Sequence, residues 1–173
     1  MTEQLKYEVL KKFPNFEIRR YPDYLLVQVR SSGEFRKAGY LGFYPLLRYI
    51  TGENQSSTKI SMTAPVLQES TSANDHVISF VLPESVSLEN VPVPKDSRVE
   101  TKLIKSHDAA AIKFSGSWSK ESMHRKGEVL LNSIKEEGIN TAGGIYFARY
   151  DSPRKPTFLR HNEALIALAH PYK

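Results

Sequence analysis

Phe16-Glu17-Ile18-Arg19-Arg20-Tyr21-Pro22-Asp23-Tyr24-Leu25-Leu26-Val27-Gln28-Val29-Arg30-Ser31-Ser32-Gly33 is the stretch whose reading decides the fold. Side chains alternate across a strand with period two. Phe16, Ile18 and Arg20 therefore fall on one side of a first strand, and Glu17, Arg19 and Tyr21 on the other. Pro22-Asp23 supplies a turn, after which Leu25, Val27 and Val29 alternate along a second strand. Ser32-Gly33 closes it. From Glu34 to Thr51 the period becomes helical, with Phe35, Ala38, Gly42, Leu46 and Ile50 on one face. Pro45 is expected to kink or divide this helix, because it has no N–H to donate and its ring crowds the preceding turn.

The same order returns about 83 residues later. Glu100 to Leu103 and Ala109 to Lys113 read as strands, Ser115-Gly116 as a turn, and Ser119 to Glu137 as a helix. Met123, Gly127, Leu130, Leu131 and Ile134 form its apolar stripe, with Ser119 as N-cap and Gly138 as stop. Ile60/Met62/Ala64, Val77 to Leu82, Val99 to Ile104, Ala110/Ile112/Phe114, Ile145 to Tyr150 and Ala164 to Leu168 are further alternating runs. Gln68 to Asp75 and Pro83 to Ser97, rich in Ser, Pro and Asn, read as surface loops. The expected fold is a single α+β domain over residues 1–173, with a pseudo-two-fold repeat at approximately 7–82 and 98–170. Each repeat contributes strands and one helix. Together they would make a curved, largely antiparallel sheet or distorted barrel with two helices packed outside.

Composition narrows the function classes. The chain has 173 residues and no cysteine, which excludes disulfides, thiolate metal sites and cysteine nucleophiles. No apolar run approaches the ~18 residues of a membrane span. The polar start Met1-Thr2-Glu3-Gln4-Leu5-Lys6 has no secretory core, so a cytoplasmic location without membrane insertion is expected. The net charge of +5 suits anionic partners. Its cations alternate with acids and carry no nucleic-acid-binding signature, so no nucleic-acid partner is expected, and carboxylates on a small ligand explain the charge as well. No nucleophile elbow, phosphate loop, dinucleotide loop or HExxH zinc motif occurs, and no enzymatic activity is expected. Glu17 and Glu163 are carboxylates that the fold could bring together. The sequence leaves the oligomeric state open.

Two segments are distinctive. One runs Leu47-Arg48-Tyr49-Ile50-Thr51-Gly52-Glu53-Asn54 and then Lys59-Ile60-Ser61-Met62-Thr63-Ala64-Pro65-Val66. The other is Tyr146-Phe-Ala-Arg-Tyr-Asp-Ser-Pro-Arg-Lys-Pro-Thr-Phe-Leu-Arg-His-Asn-Glu163. With Tyr7-Glu8-Val9 and Phe16-Glu17-Ile18-Arg19-Arg20-Tyr21, these resemble, in order, the SOUL/heme-binding protein family. The resemblance implies two strand-and-helix repeats, a fold similar to effector-binding domains of bacterial transcription regulators. It also implies non-covalent binding of heme or a related tetrapyrrole in a hydrophobic groove, for buffering, transport or delivery. Arg48 and Lys155 stand where such proteins place propionate-binding cations, and Met62 lies on the groove-lining strand. Arg160 and His161, within the last motif, complete the candidate cofactor-binding set. A guanidinium or ammonium suits a propionate because it offers a charge-assisted hydrogen bond while apolar walls cover the macrocycle. The resemblance departs at Arg20, where some members carry a histidine that is a candidate axial ligand. Arginine has no lone pair to give iron.

Of the five histidines, His161 is the candidate iron ligand. Its other reading is a turn into the last strand, with Asn162 and Glu163 bonding backbone. His76, His107, His124 and His170 match no zinc spacing and are expected at the surface. Trp118 is expected to pack against the second helix. Two further readings stay open: a general small-molecule effector-binding module without heme, and a hydrolase-like enzyme.

Overall fold

A computed structural model describes residues 2–173. Its elements are β1 (Glu3–Gln4), β2 (Glu8–Lys12), β3 (Glu17–Tyr21), β4 (Tyr24–Ser32), α1 (Phe35–Ile50), β5 (Thr63–Ala64), β6 (Val66–Ser70), β7 (Asp75–Val81), β8 (Val99–Ile104), β9 (His107–Phe114), α2 (Lys120–Glu136), β10 (Thr141–Arg149) and β11 (Asn162–Leu168). A short 3-10 turn, Thr157–Leu159, precedes β11. The fold is α+β, with two helices and antiparallel sheets, as the alternating repeats imply.

Residues group into two compact units. The first comprises Asp23–Lys105 and the segment ending at Leu5; the second comprises Lys6–Pro22 and Ser106–Lys173. Strand order in the first is β8-β4-β7-β6, all antiparallel, with a small parallel β1-β5 pair. In the second it is β2-β3-β9-β11-β10, again antiparallel. The two orders correspond strand for strand, with β2 added. The opening strand of each repeat has crossed over: β3 lies on β9, and β8 on β4. Neither sheet closes on itself, so of the two expected forms, curved sheet or distorted barrel, each unit takes the open sheet. Among the described residues, no helix is long and apolar enough to cross a membrane.

Helix α1 packs on β4 and β7. The Glu34 side chain caps it, accepting from the Arg36 and Lys37 N–H groups. Pro45 does not divide it. The proline ring is buried, and the carbonyl that loses its intrahelical donor belongs to Leu41, an exposed residue that water can reach. Leu46, Tyr49 and Ile50 then join Val27, Val29, Ile78 and Phe80 in the core of this unit. Helix α2 packs on β9 and β11. Ser119 caps it by accepting from the Ser122 N–H, and Gly138 ends it at φ +68°.

Three expectations change in three dimensions. Gln68 is no loop residue: it lies in β6, is buried, and donates to the Phe35 carbonyl, which leaves only residues 71–74 as the connection. The alternating run from Ile60 forms a strand only at Thr63–Ala64. His76 is buried, held by the Ser70 hydroxyl and the Gly33 carbonyl, because β7 starts one residue before it.

Gly42 sets how closely α1 approaches β7. A Cβ at this position would lie 2.5 Å from Ile78 Cγ1 and 3.0 Å from its Cβ. Gly42→Ala is expected to destabilise by about 1–3 kcal/mol through overpacking, partly offset by the ~1 kcal/mol advantage of Ala over Gly in a helix. Urea midpoints measure this, and a raised midpoint would rule the contact out.

Candidate functional site

The first unit carries Arg48 and Met62. The end of α1 is fixed by Asn54, which is fully buried. Its amide donates to the Tyr49 and Thr58 carbonyls, and its oxygen accepts from the Thr58 N–H. Gly52, at φ +118°, makes the turn that brings Asn54 back. Arg48 is thereby held on a rigid last turn with an exposed side chain. It meets Glu53 only at 3.6 Å, a weak solvent-screened pair.

Helical spacing places Lys37, Tyr40, Leu41, Tyr44 and Arg48 on one outward face of α1, and all are exposed. Tyr44 is 59 % exposed and Leu41 51 %. From Tyr40 to Arg48 this face runs about 12 Å along the axis. Beside Arg48 is a cavity of about 250 Å³ that also touches Tyr49, Glu53, Pro94 and Lys95. Met62 is partly buried against the core of the same unit.

The second unit carries Lys155, Arg160 and His161. Residues 152–159 form an exposed loop that is nonetheless well tied down. Arg160 is buried beneath it, donating from Nε to the Lys155 carbonyl and from Nη2 to the Pro153 carbonyl. Its guanidinium lies 4.2 Å from the Trp118 ring, whose Nε1–H donates to Asn162 Oδ1 at 2.8 Å. Asn162 donates to the Gly116 carbonyl, as its turn reading implies, but Glu163, expected to bond backbone as well, bonds side chains instead. Lys155 pairs with Asp151 at 2.9 Å.

His161 stacks on Tyr150 with ring centroids 4.1 Å apart, and its Nε2 lies 2.7 Å from Glu163 Oε2. Glu163 is the hub of a buried polar cluster. Arg19 reaches it from β3 with two parallel hydrogen bonds, of 2.6 and 2.9 Å. The same guanidinium donates from Nε to Glu17 at 2.7 Å and from Nη1 to the Tyr21 hydroxyl at 2.9 Å. It lies 4.0 Å from the centre of the Tyr7 ring. The Tyr150 hydroxyl donates to Glu163 at 3.3 Å.

Arg19 and Glu163 stand two strands apart, roughly 10 Å by strand spacing. They meet on a diagonal: Arg19 is opposite Ala109 and Glu163 opposite Lys113, so the guanidinium passes over the small side chain of Ala111. By the two-residue alternation, Ile18, Ala110 and Ile166 face the other side. The run Ala109-Ala110-Ala111 is the sequence signal for this crossing, together with a glutamate opening the apolar strand of Glu163 to Leu168. Glu17 and Glu163 are thus joined through Arg19.

Charge follows geometry. Burial favours a neutral Glu163, but hydrogen bonds from His161 and Arg19, with the Arg19 charge, hold its carboxyl down to about 2. Burial also opposes the Arg19 charge, yet the Glu163 bonds raise its pKa above the ordinary arginine value. Burial, then the Glu163 charge, push the Tyr150 phenol up. Arg19 and Glu163 are therefore an ionised pair, with the Tyr21 and Tyr150 phenols neutral beside them. Arg20, one residue on, is half-exposed and forms a two-bond pair with Asp108. Among the described residues, no group of three or more His, Asp or Glu is placed to hold a metal ion.

Residues 2–167 match the family profile described as SOUL heme-binding protein. Heme-binding protein 1 of Xenopus laevis is 29% identical over 156 residues, 86% of this chain and 80% of that protein. Among solved structures, the C-terminal domain of EcmrR superposes with a TM-score of 0.70 at 11% identity, over 96% of this chain and 99% of that one. A hydrolase from Listeria innocua superposes at 0.61 with 12% identity, over 91% and 94%. At these identities the likeness is one of fold.

Proposed function

The chain belongs to the SOUL heme-binding protein family, and from that premise we propose that it binds heme or a related tetrapyrrole without covalent attachment. The observation that carries this reading is the outward face of α1. Tyr40, Leu41 and Tyr44 offer adjoining apolar surface, and Arg48, anchored by the Asn54 turn, offers a cation held only by a solvent-screened pair with Glu53. An amphipathic dianion needs this combination: apolar surface for the macrocycle and a guanidinium for a propionate. The residues present fit the tetrapyrrole's ring and carboxylates better than its iron. Arg20 has no lone pair and is committed to Asp108, and the Nε2 of His161 is held by Glu163. In this reading the protein carries or buffers the ligand.

Hemin titration followed in the Soret band tests the reading, and no saturable shift at micromolar hemin would sink it. Arg48→Ala should weaken affinity by up to about 1 kcal/mol, the loss of one charged hydrogen bond on an exposed face. An unchanged titration curve for this variant would remove Arg48 as the propionate partner.

A further inference from the structure

The Arg19 cluster is built as a binding site rather than as an ordinary ion pair. An aromatic face (Tyr7), a carboxylate fork (Glu163), a second carboxylate (Glu17) and a phenol oxygen (Tyr21) converge on one point from separate parts of the second unit. Each suits a planar cation. The ring attracts positive charge to its face, and the fork matches two parallel N–H groups. The phenol accepts one more hydrogen bond. Behind the fork, His161 and Tyr150 bond to Glu163 and fix its orientation. The point of convergence is occupied by the guanidinium of Arg19, a side chain with no exposed surface.

We propose that these residues form a guanidinium-selective cation site whose resident occupant is the chain's own Arg19. Arg19 is then a specificity-determining residue: it fills the cage with the charge and shape that an external organic cation would need. In the native chain Arg19 closes this position to external cations. Removing the Arg19 side chain leaves two carboxylates, one fully buried, without the guanidinium that joined them, and only His161 and Tyr150 remain bonded to Glu163. An external guanidinium should enter that space. The inference is independent of tetrapyrrole binding and fails or stands separately from it.

The test is chemical rescue. Arg19→Ala is melted with increasing millimolar methylguanidinium, and separately with sodium chloride or tetramethylammonium at equal ionic strength. A ligand that binds only the folded state raises the melting temperature with its concentration. A saturable rise of several degrees is expected with methylguanidinium in Arg19→Ala. No such rise is expected in the native chain, in Arg19→Ala/Glu163→Gln, or with the other two salts. Absence of the rise, or an equal rise with tetramethylammonium or in the double variant, would overturn the proposal. If Arg19→Ala is recovered unfolded, the same comparison is made on refolding yield by circular dichroism. Folded protein appearing only with methylguanidinium supports the site, and no folded protein with any of the three salts refutes it.

Discussion

Glu163→Gln is expected to cost about 3–5 kcal/mol, because it leaves the Arg19 guanidinium buried with its main counter-charge gone. At ~2–4 °C per kcal/mol for a chain of this size, the melting temperature should fall by on the order of 10 °C. The substitution keeps the shape of the side chain, so the loss reports charge and hydrogen bonding rather than a cavity. The amide also presents N–H groups to a guanidinium that can only donate. Two carboxylate oxygens that now accept from Arg19, His161 and Tyr150 are reduced to one.

The acid dependence gives a second readout. Glu163 sits near pKa 2 in the folded protein, below its ordinary value of 4.5, so the unfolded chain binds more protons in that interval. Its contribution to stability is therefore complete above its unfolded pKa and is lost as the pH falls through 4.5 toward 2. Arg19 stays charged throughout. Urea denaturation at successively lower pH should show the gap between native and Glu163→Gln proteins narrowing below pH 5 or so. A gap constant from pH 7 to pH 3 would mean that Glu163 is not held ionised by its neighbours.

Trp118→Ala is the second large effect, at about 3–5 kcal/mol for removal of a buried indole. Trp118 is 5 % exposed, and its ring connects two features of the second unit. Its Nε1–H satisfies Asn162 at the start of β11, and its face supports the Arg160 guanidinium that holds the exposed loop. Loss of the ring leaves Asn162 Oδ1 without its donor and Arg160 without its platform. Amide exchange in residues 152–159 should therefore accelerate out of proportion to the global loss of stability. Trp118→Phe restores the packing and the stacking face but not the donor, and should recover most of the loop protection. If loop exchange merely follows global stability in both variants, the ring does not order the loop.

Much of the fold was legible because its causes are local. Period-two alternation in Phe16 to Val29, the change to helical spacing after Ser32-Gly33, and the return of the same order after Glu100 rest on side-chain direction along the chain. The caps followed too, since Ser119 and Gly138 act on atoms a few residues away. Pro45 does not divide α1 for the opposite reason: the helix continues through it while packing on β4 and β7, which no local rule contains. His76 was likewise placed by its surroundings, between Ser70 and Gly33.

The outward face of α1 is the part of the candidate site that the sequence itself determined. Tyr40, Leu41, Tyr44 and Arg48 lie within one helix, and an α-helix fixes which of its residues share a side. The Arg19 cage was decided only by the tertiary structure. Alternation put Arg19 opposite to Ile18 but could not say that both faces of β3 would be buried. That required β9 to lie beside β3 and β11 beside β9, pairing residues 144 positions apart, with Ala111 on the diagonal between them short enough for a guanidinium to cross. Strand order and register arise from the packing of the whole unit. A buried charge is stable only where that packing brings its counter-charge, so its partner cannot be read from either segment alone.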